Sequence, residues 1–128
     1  MGRMGRTMEL ARFLVVAAGS TSLFCTTLAL DPSWVLRVKD GDTFVIRNAG
    51  ITNSEDVRVC CVDTPERKAP GFDDATAFTD RWLQAGPFTL TVCKRDSFGR
   101  LLGTVTREDD NLATALLAAG LAVPYTRK

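Results

Sequence analysis

The sequence predicts a small α+β domain, a five-stranded Greek-key barrel with two packed helices, preceded by an N-terminal signal or anchor segment. Three observations lead there. Five stretches of strand length concentrate β-branched and apolar residues between turn signals. Two stretches change to helical period, one after the third strand and one after the fifth. Residues 1–30 stand apart, with Arg3, Arg6 and Arg12 leading into an uncharged run over 13–30.

That first segment has the basic start and apolar centre of a secretory leader. Thr27 and Ala29 are the small residues that a cut before Leu30 requires, so residues 1–30 are expected as a signal peptide and 31–128 as the domain. The alternative is an uncleaved anchor, because the run is just long enough to span a bilayer. Gly19, Ser20, Thr21 and Ser22 dilute it and favour cleavage. Lipid attachment at Cys25 is disfavoured by the bulky Phe24 before it.

The domain reads in order. "SWVLRV" (33–38) and "DTFVIRN" (42–48) are strands either side of an Asp-Gly turn. "AGITNSED" (49–56) has hairpin-loop chemistry, and "VRVCCV" (57–62) is the third strand. "DTPERKAPGFDD" (63–74) is irregular, with two prolines and a glycine. Ala75, Phe78, Trp82 and Leu83 then share one face of a helix over 73–86, capped by Asp73 or Asp74 and closed by Gly86. "PFTLTVCK" (87–94) and "RLLGTVT" (100–106) are strands around the turn "RDSFG". The second helix follows, capped by Asp109, Asp110 or Asn111 and ended by Gly120. This is the layout of a barrel of the oligonucleotide/oligosaccharide-binding (OB) type.

With 128 residues the chain supports one domain with one modest core. A net charge of +1 excludes a strongly basic nucleic-acid glove. A bound polyanion must be gripped by a local arginine cluster or a metal. The absence of histidine removes the commonest general base, the commonest zinc ligand and every His-dependent triad. Export would place Cys60, Cys61 and Cys93 in an oxidising compartment. Cys60 and Cys61 face opposite ways within a strand, so at most one of them is expected to bridge to Cys93. Three small buried hydrophobes are the alternative.

Acids and arginines gather at strand ends: Asp40 and Asp42 at the first turn, Asp63, Thr64 and Glu66 after the third strand, Asp96 and Arg100 around the last turn. Arg58 stands amid Val57, Val59, Cys60, Cys61 and Val62, where a guanidinium fork suits phosphate or carboxylate. A solvent-facing arginine paired to a cross-strand acid is the plainer reading. Carboxylates without histidine favour a hard cation, Ca²⁺ or Mg²⁺.

Taken together, "VKDGDTFVI", "VRVCCVDTPE" and "DSFGRLLGTV", with "ATAFTDRWL" between the last two and "NLATALLAAGLAVPY" at the end, resemble the staphylococcal nuclease (thermonuclease) family over residues 34–125. The resemblance implies Ca²⁺ held by Asp42, Asp63 and the Thr64 carbonyl, with Asp40 in support. It implies that Glu66 orients and deprotonates the attacking water and that Arg58 and Arg100 clamp the scissile phosphate. Phe98 and Tyr125 are expected to bind substrate, Tyr125 by stacking on a base or else by packing the chain end. The implied activity is calcium-dependent cleavage of DNA and RNA, single-stranded or locally open, with low sequence specificity and 5′-hydroxyl and 3′-phosphate ends. A secreted or periplasmic monomer with no protein partner is expected, or a membrane-anchored one if the leader stays.

The sequence departs from the family pattern in places. The loop over 63–75 is short, Phe98 stands where a tyrosine is usual, Ala113 replaces a buried asparagine, and no further helix follows to Lys128. The competing function is a non-catalytic OB-fold module that binds single strands. The full set Asp42, Asp63, Glu66, Arg58 and Arg100 argues against it, because binding alone needs no metal and base.

Overall fold

The computed structural model describes residues 24–47 and 53–125. The start of the expected leader (1–23) and the tip of the expected loop (49–52) lie outside them. Strands β2 (Val35–Asp40), β3 (Thr43–Arg47) and β4 (Ser54–Val59) form an antiparallel meander. Strand β7 (Leu101–Arg107) joins β4 in parallel, β6 (Phe88–Arg95) pairs antiparallel with β7, and β1 (Thr26–Leu30) pairs antiparallel with β6. The sheet order is β1-β6-β7-β4-β3-β2, with the short β8 (Asp110–Asn111) on β7. A separate ladder joins β5 (Val62–Asp63) to β9 (Val123–Pro124). Helices α1 (Phe72–Gln84) and α2 (Leu112–Ala118) complete the expected α+β domain.

Three expectations are corrected. The barrel is not closed: the sheet is mixed and seven-stranded, and its edges β1 and β2 do not pair. These edges are consecutive in the chain, joined by Asp31 and the 3₁₀ turn Pro32–Trp34. Pro32 has no N–H and a fixed φ, so a ladder cannot run through the corner. The third strand begins at Ser54, inside the expected loop, and ends at Val59. Its early acids are neutralised in place: Glu55 takes a two-pronged bond from Arg95 (2.9 and 3.0 Å), and Asp56 accepts from Lys39 (2.6 Å). Cys60 and Cys61 form a turn instead of strand, with Cys61 at φ +80°.

The third correction concerns the cysteines. Cys25 bridges to Cys93, and Cys60 bridges to its neighbour Cys61, so neither of the adjacent pair reaches Cys93. The partner of Cys93 lies in the stretch read as leader. In the same stretch β1 buries Thr26, Leu28 and Leu30 in alternation against β6. A cut between Ala29 and Leu30 would fall within this strand.

The core forms between the sheet and the helices. Phe44, Val57, Leu90, Val105, Leu83, Leu112 and Leu116 are fully buried there. The rings of Phe44 and Trp82 both meet Phe88 edge-on, at 6.3 and 6.4 Å. The cap of α1 is Gly71 in the left-handed region, without a side-chain bond; Asp73 and Asp74 instead lie in the first turn, where the helix dipole favours them. At its other end Arg107 donates to the carbonyls of Trp82, Gly86 and Pro87 and stacks 4.0 Å from the Trp82 ring. Of the three expected caps of α2, Asn111 serves, accepting from Thr114 N–H at 3.1 Å. Gly120 at φ +74° ends that helix with bonds from Gly120 N–H to Leu117 and from Leu121 N–H to Leu116.

Helix α1 lies directly over the β2–β3 turn. Thr79, fully buried, donates its hydroxyl to the Gly41 carbonyl at 2.6 Å. A Cβ at Gly41 would stand 2.8 Å from Ala75 Cβ and from Thr64 Cγ2, so only glycine permits this approach.

Two stability effects follow. Leu30→Ala should cost about 2–5 kcal/mol, because it empties a buried site between β1 and the core. Gly41→Ala should cost about 1–3 kcal/mol by forcing α1 off the turn. Urea unfolding midpoints check both, and a wild-type midpoint for either variant would contradict the packing described.

Candidate active site

The site begins at the β2–β3 turn. Asp42 N–H donates to Asp40 Oδ1 at 3.1 Å, which folds the Asp-Gly-Asp turn on itself. The Asp42 side chain is only 7 % exposed and its carboxylate accepts three hydrogen bonds. Its Oδ1 accepts from the Thr43 hydroxyl (3.0 Å), and its Oδ2 from both the N–H (3.0 Å) and the hydroxyl (3.1 Å) of Thr64. Two segments 22 residues apart are thereby joined.

Arg58 links this turn to β5. Its guanidinium Nη1 donates to the carbonyls of Val59 (2.8 Å) and Val62 (2.9 Å), spanning the Cys60–Cys61 turn. The same nitrogen lies 3.6 Å from Asp42 Oδ2, and Nη2 lies 3.5 Å from Asp63 Oδ1. With 11 % of its side chain exposed, Arg58 is not the solvent-facing arginine that strand composition alone allowed. The Tyr125 ring centre lies 5.5 Å from its guanidinium carbon, held there by Tyr125 N–H on the Cys61 carbonyl.

The two aspartates of the turn titrate as a pair. Burial, then the hydrogen bond and negative charge of Asp42, push Asp40 from 3.8 up to about 6. Burial also pushes Asp42 upward. The hydrogen bond from Asp40, the Thr64 N–H and the Arg58 charge more than offset it, so Asp42 ends below the usual range.

Arg100 is held from the other side by Asp96. That carboxylate accepts from Arg100 Nε (2.7 Å), Arg100 N–H (3.0 Å) and Phe98 N–H (2.9 Å). Burial raises its pKa, and these donors outweigh burial and bring it below the usual value. Gly99, at φ +84°, lets the chain turn back so that both backbone donors reach one carboxylate. Phe98 stands 78 % exposed, its ring 5.2 Å from the Arg100 guanidinium.

Arg58, Arg100, Phe98, Tyr125, Lys94 and the Cys60–Cys61 bridge line one cavity of about 550 Å³. The expected site residues therefore fall into two groups. Asp42, Thr64 and Asp63 converge on Arg58, while Arg100, Phe98 and Tyr125 share the cavity with it. Glu66 is exposed, two residues beyond Thr64, and no contact ties its carboxylate to either arginine. Among the described residues no three acidic or cysteine side chains gather closely enough to form a cation site by themselves. The oxygen donors available, the Asp40–Asp42 pair and the neighbouring Asp63 and Thr64, fit a hard divalent cation better than a thiophilic one.

Sequence reasoning gave no role to Asp96, Thr79 or Lys94. Asp96 had a signal in its spacing, an acid four residues before an arginine across a glycine turn. Thr79 had none, since a threonine on a helix face reads as neutral.

A family model described as "Staphylococcal nuclease homologue" matches residues 56–128. The chain is similar to the SPbeta prophage-derived endonuclease YokF of Bacillus subtilis (strain 168), 34% identical over 95 residues, covering 67% of this chain and 31% of that protein. It is also similar to an uncharacterized endonuclease of Escherichia coli, 30% identical over 92 residues, covering 71% of this chain and 59% of the relative. The chain thus spans less than two thirds of the length of either. The matched region carries most of β4, both helices and the residues Arg58, Asp63 and Arg100, and on that agreement the chain belongs to the staphylococcal nuclease homologue family.

Proposed function

We propose that the protein is an exported, calcium-dependent phosphodiesterase that cuts DNA and RNA with low sequence specificity. The observation that carries the reading is Arg58, which reaches both Asp42 and Asp63 and opens onto the cavity shared with Arg100. Asp42, Asp63 and the Thr64 carbonyl would hold Ca²⁺, which when bound supplies charge neutralisation at the phosphate.

The chain's own groups do the rest. Arg58 and Arg100 donate to the non-bridging oxygens, where negative charge grows as water attacks phosphorus. Asp96 fixes Nε of Arg100 and so leaves the terminal nitrogens of that guanidinium for substrate. Glu66 takes the proton of the attacking water. As the new O–P bond forms, the bond from phosphorus to the 5′-oxygen breaks; that oxygen takes a proton from solvent. The products are a 3′-phosphate and a 5′-hydroxyl. Phe98 and Tyr125 offer exposed rings on which unpaired bases stack, which favours single-stranded or locally open substrate.

Export is part of the same proposal. Two disulfides suit an oxidising compartment. Because β1 belongs to the sheet and Cys25, just before it, is bridged to Cys93 of β6, a leader, if removed, is cut upstream of Cys25.

The test of activity is incubation of the full chain with denatured DNA, with Ca²⁺ or with chelator. Calcium-dependent loss of long DNA is expected, with Glu66→Gln lowering kcat roughly 10²–10⁴-fold and Arg100→Ala roughly 10²–10³-fold. DNA that is retarded but intact under both conditions would identify a binding module instead. For export, N-terminal sequencing of protein recovered outside the cytoplasm should begin before Cys25; a start at Leu30 would refute that boundary.

A further inference from the structure

Lys94 sits at the end of β6, and its direction is set by an irregularity in the ladder. Val92 opposes Gly103 on β7, but Lys94 opposes Leu102, so β6 advances two residues where β7 advances one. Cys93 is the extra residue of this bulge. In a regular strand Lys94 would share the face of Val92, which is the core face. The bulge turns it to the opposite face.

That face carries the candidate active site. Leu102 opposes Lys94 on one side and Arg58 on the other, so Arg58, Leu102 and Lys94 form one row across β4, β7 and β6. Directly opposed residues project from the same face, and all three line the cavity. With strands about 4.8 Å apart, Arg58 and Lys94 start roughly 10 Å from one another, a separation that lets the two side chains meet successive phosphates of one strand. Neighbouring charges are already engaged: Arg95 holds Glu55, and Asp96 holds Arg100. Lys94 is exposed and makes no ion pair with a described residue.

We propose that Lys94 binds a second backbone phosphate of a single-stranded nucleic acid laid along the Arg58–Leu102–Lys94 row, next to the phosphate that Arg58 and Arg100 hold. The inference rests on the phosphodiesterase reading and adds to it a direction: the strand crosses the sheet from β4 towards β6. Phe98 and Tyr125 flank the row and leave room for bases to turn aside and stack.

The experiment uses the full chain carrying Glu66→Gln, with Ca²⁺, and measures binding of a thymidine dinucleotide and octanucleotide over a salt series. Adding Lys94→Gln should weaken octanucleotide binding roughly fivefold and reduce the slope of log K against log salt by about 0.7, one single-strand phosphate contact. Lys94→Arg should restore both. The dinucleotide, with its single internucleotide phosphate, should lose less than the octanucleotide. An unchanged octanucleotide slope, or an equal loss for both lengths, overturns the assignment of Lys94. Failure of the parent protein to bind either oligonucleotide, together with failure of the unsubstituted chain to cut DNA, overturns the phosphodiesterase reading itself.

Discussion

The carboxylate of Asp42 is a buried charge, and a buried charge persists only where it is paired and hydrogen-bonded. Thr64 supplies two donors, Thr43 a third, and Arg58 an opposite charge. These partners come from β3, β4 and the loop after β5, so one side chain fastens three separate parts of the chain. Helix α1 completes the arrangement by pressing Ala75 and Thr79 onto Gly41, between the two turn aspartates. The geometry of the site is thus a property of packing as much as of charge. Loosening the helix would release the turn that carries both acids.

Arginine is used in two ways here. Arg107 serves structure alone, saturating three carbonyls at the end of α1 and covering Trp82. Arg58 and Arg100 are each fixed through part of the guanidinium and remain at the cavity surface through the rest. A planar fork with five donors allows this division, because holding one edge orients the other. Near-neutral overall charge is compatible with a strong local positive field when arginines are held this way at one place.

Much of this was legible in the sequence. Five of the strands and both helices follow from alternation and period, whereas Asp42, Thr64, Asp63 and Arg58 were grouped by the resemblance to the nuclease family. What escaped had physical reasons. The apolar, charge-free Thr26–Leu30 satisfies a leader pattern and a buried edge strand equally well, and only the ladder to β6 separates them. Cys60 and Cys61 look like strand residues by composition, yet the left-handed backbone at Cys61 makes them a turn. The bulge at Cys93 puts a lysine where alternation calls for a core residue, a break that the end of a strand explains equally well, so the direction of Lys94 could not be read. Gly71 caps α1 without a side chain, and so neighbouring aspartates looked like better caps.

The Cys25–Cys93 bridge fastens β1 at the bulge, on the outer side of β6. Without β1, the outer hydrogen-bonding groups of β6 would face water as an open template, and foreign strands add readily to such an edge. Strand β1, five residues long, replaces eight-residue β6 as the sheet's margin and leaves a shorter template, a guard against self-association. Oxidation of one thiol pair converts that guard from a reversible ladder into a covalent one.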